Sequence, residues 1–424
     1  MKFRKETEFQ ETEIGKIPRD WKVTKLGSIS KIVSGYTFPL EMQGKAKGRY
    51  PFIKVNDMNS SYKYITNAEN YVDEEDLPRL KARPFPEGTI IFPKIGMTMR
   101  LNKYRILGRE ALFDNNIAGI IVDNKNVYNE YVYYYLQGKV NLLSLAGMTT
   151  VPSITKTKIE KLSIPLPPLN EQVKIAEILS KVDDAIKNID DAIARLECLK
   201  RGLMSELLTG RIRVREENGR LSFYRETELQ ETEIGKIPRG WHVVKWGELI
   251  EMNHGERPEV ILQEGDVPIY GGGGLYGFTN TYLVDKPYVL ILARVGKGSV
   301  GKVYLARGRV WVTDNAIYGY SKDPNGITTI YAYYWLLFDK TWIEKYVRRS
   351  AGGYAIITLN SLNNLKLPLP PLNEQKGITK ILSTIDKAVD LHYKGKERLE
   401  RVKRGLMDLL LTGKVRVVDG DVGS

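Results

Sequence analysis

The chain has 424 residues, room for two or three domains, and carries a net charge of +13 from 64 basic and 51 acidic residues. That excess favours a polyanionic partner, nucleic acid first, and says nothing of fold. A single cysteine, Cys198, excludes disulfides within the chain and cysteine-based zinc sites, and three histidines exclude a histidine-rich metal cluster.

No long uncharged apolar run is present, and the N-terminus opens Met1-Lys2-Phe3-Arg4-Lys5-Glu6 rather than as a signal peptide. A soluble cytoplasmic protein is expected. The head segment Phe3–Gly27, FRKETEFQETEIGKIPRDWKVTKLG, returns at Phe223–Gly247 as FYRETELQETEIGKIPRGWHVVKWG, an offset of 220. Such an internal repeat outranks other signals, because it fixes the organisation of the whole chain. Trp21 and Trp241 in these heads are expected to be core anchors.

After each head comes a divergent, strand-rich segment of α+β character. Apolar, β-branched runs predict strands at Tyr50–Val55, Thr89–Phe92 and Ile117–Val122 in the first copy. In the second copy they predict strands at Tyr288–Ala293, Val300–Leu305 and Val310–Thr313. A tyrosine-rich helix follows in both, at Tyr131–Leu136 and Tyr331–Leu336, and Asp114-Asn115 pairs with Asp314-Asn315 at an offset of 200.

The divergent segments end at Leu166-Pro167-Pro168-Leu169-Asn170-Glu171-Gln172 and at its twin Leu369-Pro370-Pro371-Leu372-Asn373-Glu374-Gln375. Here the offset is 203, so the first variable segment holds 17 more residues than the second. A long helix is expected behind each motif, since proline is harmless in or before a first turn. Ile175, Val182, Ile189, Leu196 and Leu203 recur every seven residues, with Leu179, Ile186 and Ile193 as a second row. Ile178, Ala185, Ala192 and Leu199 form a third. This is a coiled-coil seam. The second copy keeps Leu382, Ile385, Val389, Leu399 and Val402 in these rows but interrupts them with His392, Gly395 and Lys396. Gly395 reads as a close approach or a weak point, and Cys198 as a buried structural thiol beside the seam. Gly210 and Gly413 suit C-terminal caps. The two helices are expected to pair antiparallel, which gives the tandem repeat a pseudo-two-fold axis. The predicted organisation is a first globular domain at 1–165, a first helix block at 166–210, a second domain at 211–367, a second helix block at 368–413 and a tail at 414–424.

Two motifs tempt toward nucleotide chemistry. Gly272–Gly277 matches G-x-G-x-x-G but leads into Phe278-Thr279-Asn280-Thr281 instead of a helix, and reads as a glycine-rich turn. Gly296–Val303 lacks the final Ser/Thr of a phosphate-binding loop and runs into a strand-like stretch. A basic hairpin beside a phosphate backbone accounts for it better, with Arg100 and Lys103 in the corresponding hairpin of the first copy. No catalytic constellation is visible, which points to a binding role.

The blocks I-G-K-I-P-x-x-W-x-V-x-K-x-G at 14–27 and 234–247, with L-P-L-P-P-L-N-E-Q and L-x-T-G-[RK]-[IV]-R-V around each helix, resemble the specificity (S) subunit of type I restriction-modification systems. The resemblance covers both heads and both helix blocks. It implies two target-recognition domains, each reading half of a bipartite DNA site, and helices that act as spacer and as docking surface for two methyltransferase subunits. Two restriction–translocase subunits join for cleavage. S-adenosylmethionine, ATP and magnesium belong to those partners, and no cofactor is expected in this chain. Alternatives are a specificity domain from a self-contained restriction enzyme, or a nucleotide-hydrolysing protein using Gly296–Lys302. Candidate DNA contacts in the first domain are Lys54, Asn56, Arg100 and Lys103. In the second they are Arg294, Lys297, Lys302, Arg348, Arg349 and Tyr354. Arginine and asparagine can make bidentate base contacts, and lysine more often holds phosphate. The expected helix–helix contacts are Ile175, Leu179, Val182, Ile186, Ile189, Ile193 and Leu196 against Leu382, Ile385, Val389 and Leu399.

Overall fold

A computed structural model describes residues 2–59, 62–123, 125–146, 151–217, 219–296, 298–349 and 355–418. The chain forms two compact units, residues 1–191 with 393–424, and residues 192–392. Each long helix begins in one unit and ends in the other, so the units divide inside the helices rather than at their ends.

In the first unit a five-stranded sheet runs in the order Ser30–Ser34, Ile117–Val122, Ile90–Pro93, Arg105–Leu107 and Tyr64–Ile65. Beside it, Tyr50–Ile53 lies between Leu112–Phe113 and Asn70–Val72. The second unit merges the matching strands into one six-stranded sheet: Ile250–His254, Ala316–Ser321, Val284–Ala293, Val303–Val312, Val267–Gly271 and Gly274–Thr279. Ile90–Pro93 in the first sheet, and Val289–Ala293 in the second, are apolar because they are covered on both faces. Ile90 and Phe92 enter one core and Ile91 another. Likewise Leu290 and Leu292 face one core while Val289 and Ile291 face a second, as the period of two requires.

Two expectations are corrected by these sheets. Val300–Leu305 and Val310–Thr313 belong to one strand, Val303–Val312. Gly308 has φ +67° at a bulge where Pro287 and Tyr288 lie between the pairs Lys286/Gly308 and Val289/Ala306. The structural counterpart of Asp114 is Thr313, not Asp314. Each donates its amide to the end of the neighbouring strand, at the carbonyls of Ile53 and Tyr270.

The tyrosine-rich helices are α1 (Asn129–Lys139) and α3 (Thr329–Phe338); the long helices are α2 (Leu169–Leu207) and α4 (Leu372–Leu411). Helices α2 and α4 start directly after Pro168 and Pro371, whose carbonyls accept from the amides of Glu171 and Gln172 and of Glu374 and Gln375. Gly210 and Gly413 take φ of +71° and +69° beyond the last turns, and a Cβ on either would strike Pro238 or Pro18 within 2.5 Å.

The helices pair antiparallel within each unit. In the first, Lys403 meets Asp183 and Lys396 meets Asp190, both at 2.6 Å, a seven-residue step in opposite directions. In the second, Lys200 meets Asp386 at 2.5 Å. Ile175, Leu179 and Ile186 are buried in the first unit and Ile193, Leu382 and Ile385 in the second. Val182, Ile189, Leu196, Val389 and Leu399 are half-buried. Leu199 and Val402 are about half exposed and Cys198 is exposed, so Leu199, at the end of the third apolar row, and the thiol lie off the seam, whereas Ile178 packs against the first core. A Cβ on Gly395 would meet Ile189 at 3.7 Å, ordinary contact, so the glycine marks no close approach.

Candidate nucleic-acid interface

The repeated motifs hold each variable domain on its helix. Glu171 accepts from the guanidinium of Arg416 at 2.8 and 2.7 Å and from Trp21 Nε1 at 3.3 Å; Arg416 also reaches Glu6 and Asp20. In the second unit Glu374 accepts twice from Arg213 at 2.7 Å and from Trp241 Nε1 at 3.0 Å. Gln172 and Gln375 accept from the amides of Tyr128 and Thr328, at the starts of α1 and α3. Tyr134 and Tyr334 then donate to Asp183 and Asp386 on α2 and α4, at 2.8 and 2.7 Å. Trp21 and Trp241 are buried, as core anchors should be. These shared contacts fix the position of each domain and leave the far strand ends free to differ.

The strand ends carry the matched cations. Lys94 follows Ile90–Pro93, and Arg294 follows Val284–Ala293. Both are gripped by backbone on two sides: Lys94 through Asn116 and Ile154, Arg294 through Asn315 and Ile357, at 2.9 to 3.0 Å. Lys94 Nζ donates to Ser34 at 2.8 Å, and burial lowers its pKa against the pull of Asp114. Arg294 donates one nitrogen to the Asp314 carbonyl at 3.2 Å, while its buried Nε has no partner among the described residues. His254 beside it has its pKa lowered by burial and by the Arg294 charge. Gly35 and Gly255 let the neighbouring chain pass, since a Cβ on either would sit 2.2 Å from a carbonyl oxygen.

Around these cations the two domains differ most. After Tyr50–Ile53 the first domain inserts the residues from Lys54 to Glu69, whereas in the second a turn at Gly272-Gly273 suffices. In the second domain this turn borders a cleft of about 730 Å³, lined also by Arg257, Ile261, Tyr276, Asp314 and Asn315.

The candidate contacts divide accordingly. Lys54 opens the insertion next to Ile53, which accepts from Asp114; its ammonium reaches Gln43 at 2.5 Å and lies over Phe38. Asn56 is exposed nearby. Arg348 and Arg349 are exposed on a small sheet whose middle strand, Ala355-Ile356, pairs with Val295-Gly296 directly after Arg294. Exposed Lys302 and half-buried Lys103 end matching connections between antiparallel strands. Lys103 donates to Asn59, and Asn102 ties the first connection, which carries Arg100, to the carbonyls of Gln137 and Val140 at the end of α1. Lys297 and Tyr354 lie outside the described residues. The sequence reading missed Lys94, which its matching backbone contacts set in the same place as Arg294.

A tandem pair of divergent sheet domains, held by identical contacts on antiparallel helices, defines a two-site recognition protein with no helix among the described residues long and apolar enough to cross a membrane. The model for the type I restriction modification DNA specificity domain matches residues 18–197 and 238–401. A putative type I restriction enzyme MjaX specificity subunit from Methanocaldococcus jannaschii is 32% identical, covering 98% of this chain and 99% of its own. The MjaVIII specificity subunit of the same organism is 28% identical over 98% of both chains. The crystal structure of an S subunit from M. genitalium shares the fold with a TM-score of 0.62 at 17% identity, covering 92% of this chain and 96% of that one. The chain belongs to the family of type I restriction-modification specificity subunits.

Proposed function

We propose that each variable domain binds double-stranded DNA through its strand-end face and reads one half of a bipartite site. The paired helices serve as spacer and as docking surface for two methyltransferase subunits, which two restriction–translocase subunits join for cleavage. The chain itself is non-catalytic; S-adenosylmethionine, ATP and magnesium act on the partner subunits, in the cytoplasm. The observation that carries this reading is the matched pair Lys94 and Arg294. Both domains keep a cation at one strand end, held by the same backbone contacts, while the chain around it differs in length and composition. A generic phosphate or base anchor within a variable surface is what two readers of different half-sites need.

Arg294 directly precedes Val295, a residue of the cleft lining, so Arg294→Ala should weaken binding about 10- to 100-fold, the ~1–3 kcal/mol of a lost arginine–base contact. The loss should appear on cognate DNA and vanish when only the second half-site is scrambled, measured by fluorescence-anisotropy titration. Wild-type affinity for cognate DNA in the folded variant would remove this face from the interface.

A further inference from the structure

We propose that the hairpin Phe9–Pro18 and its twin Leu229–Pro238 are docking sites for two copies of one protein partner. On the reading above that partner is the methyltransferase subunit, and the proposal rests on that reading. Each hairpin is an antiparallel pair with the same register, Phe9/Pro18 to Thr12/Gly15 and Leu229/Pro238 to Thr232/Gly235. Gln10 through Arg19 match Gln230 through Arg239 without one difference over ten residues.

Folding explains part of that identity. Gln10 and Gln230 each donate to three carbonyls, at residues 18, 19, 21 and 238, 239, 241. Gly15 and Gly235 need φ of +96° and +104°, and Ile17 and Ile237 are buried. Folding does not explain Glu11, Lys16 and Arg19, or their twins. Lys16 and Glu11 pair at 3.3 Å with side chains 69% and 74% exposed, and Lys236 and Glu231 at 3.2 Å with 66% and 74%. Ion pairs so exposed contribute little to stability. Glu13 and Glu233 are also kept, yet their partners differ: Lys25 and Ser163 in one copy, Lys366 in the other. Nearby positions have drifted, even buried ones, as Leu26 against Trp246 shows. An exposed surface that stays identical while its buried neighbours change is constrained from outside, by the same ligand in both copies.

The charge excludes nucleic acid as that ligand. Across Gln10–Arg19, Glu11 and Glu13 balance Lys16 and Arg19, so the hairpin is neutral in a chain of net charge +13. A surface without cationic excess releases no phosphate counterions. Interleaved carboxylates and cations instead fit a protein surface of the opposite charge order.

The test uses the full chain co-expressed with the methyltransferase subunit of its own system. Glu11→Lys with Lys16→Glu preserves the ion pair within the hairpin but inverts what a partner meets; Glu231→Lys with Lys236→Glu does the same in the second copy. Native mass spectrometry should show two methyltransferase subunits on the wild type, one on either swapped chain and none on the doubly swapped chain. The swapped chains should keep the wild-type melting temperature and DNA affinity when isolated. A wild-type chain that recruits no subunit sinks the reading of the preceding section. A wild type with two and a doubly swapped chain that still holds two sinks this proposal alone, and so does a swap that lowers DNA affinity in a chain of unchanged melting temperature.

Discussion

Glu6 shows how single side chains close each unit. Its carboxyl is pulled from 4.5 to about 2, first by the Glu8 amide and, against the cost of burial, by the Arg416 guanidinium. A carboxylate with a lowered folded pKa contributes stability that is complete above its unfolded value and lost as pH falls through the folded one. The contribution of Glu6 is therefore full above pH 4.5 and disappears toward pH 2. Glu6→Gln should melt below the wild type at pH 7, and the gap should close as the pH drops through that window; a gap independent of pH would mean that the charge is not what matters. Glu226, on Arg213, is lowered by the same kinds of contact and should behave alike. Little of this was legible in the sequence. The Asn-Glu-Gln motif stands out as a repeat, but Glu171 meets Arg416 across 245 residues and Gln172 meets Tyr128 across 44. Composition and spacing cannot supply such partners. Arg294 was visible as a cation, while its role depends on a backbone grip that only the folded sheet reveals.

At the level of elements the helices were the most legible, because seven-residue periodicity is a property of the chain itself. What the pattern could not fix was which apolar row faces the partner helix. Leu199 is apolar and exposed, whereas Lys396 breaks the pattern yet pairs with Asp190. Strands were less legible, since a bulge such as that opposite Gly308 reads as a chain break. The ion pairs also fix helix level: stepping four residues from Asp183/Lys403 sets Lys187 opposite Leu399. Insertions meant to lengthen the pair must therefore fall at matched levels, of which these two points are one choice. Four residues after Lys187 and four after Arg398 add about 6 Å at ~1.5 Å per residue, close to 2 base pairs at ~3.4 Å each. If the helix pair sets the distance between half-sites, methylation mapping of a host carrying the altered system should show a spacer longer by about 2 base pairs and unchanged half-sites. An active insertion variant with the original spacer would show that the helices do not measure it.

For the molecule as a whole the net charge of +13 has to be spent somewhere, and the neutral head hairpins narrow the choice to the variable domains and helices. Arg348 and Arg349 are the strongest candidates in the second domain. They are adjacent and exposed, and they share a small sheet with the residues that follow Arg294. On the reading proposed above, guanidinium groups on a strand one removed from Val295 of the cleft lining would neutralise phosphate, and phosphate contacts carry no sequence preference. Each neutralised phosphate contributes roughly −0.9 to the slope of log affinity against log salt. Replacing both arginines by alanine should flatten that slope by up to about 2 and weaken cognate and scrambled DNA equally. Arg294→Ala differs, because it should cost selectivity at the second half-site and leave scrambled DNA unaffected. Lys103→Ala should leave the slope nearly unchanged, since its ammonium is already engaged by Asn59 and burial lowers its pKa. Binding titrations at four or more salt concentrations, on cognate DNA and on DNA with either half-site scrambled, separate the three. If the double arginine variant keeps the wild-type slope while Lys302→Ala flattens it, the phosphate track follows the strand connection instead of the small sheet.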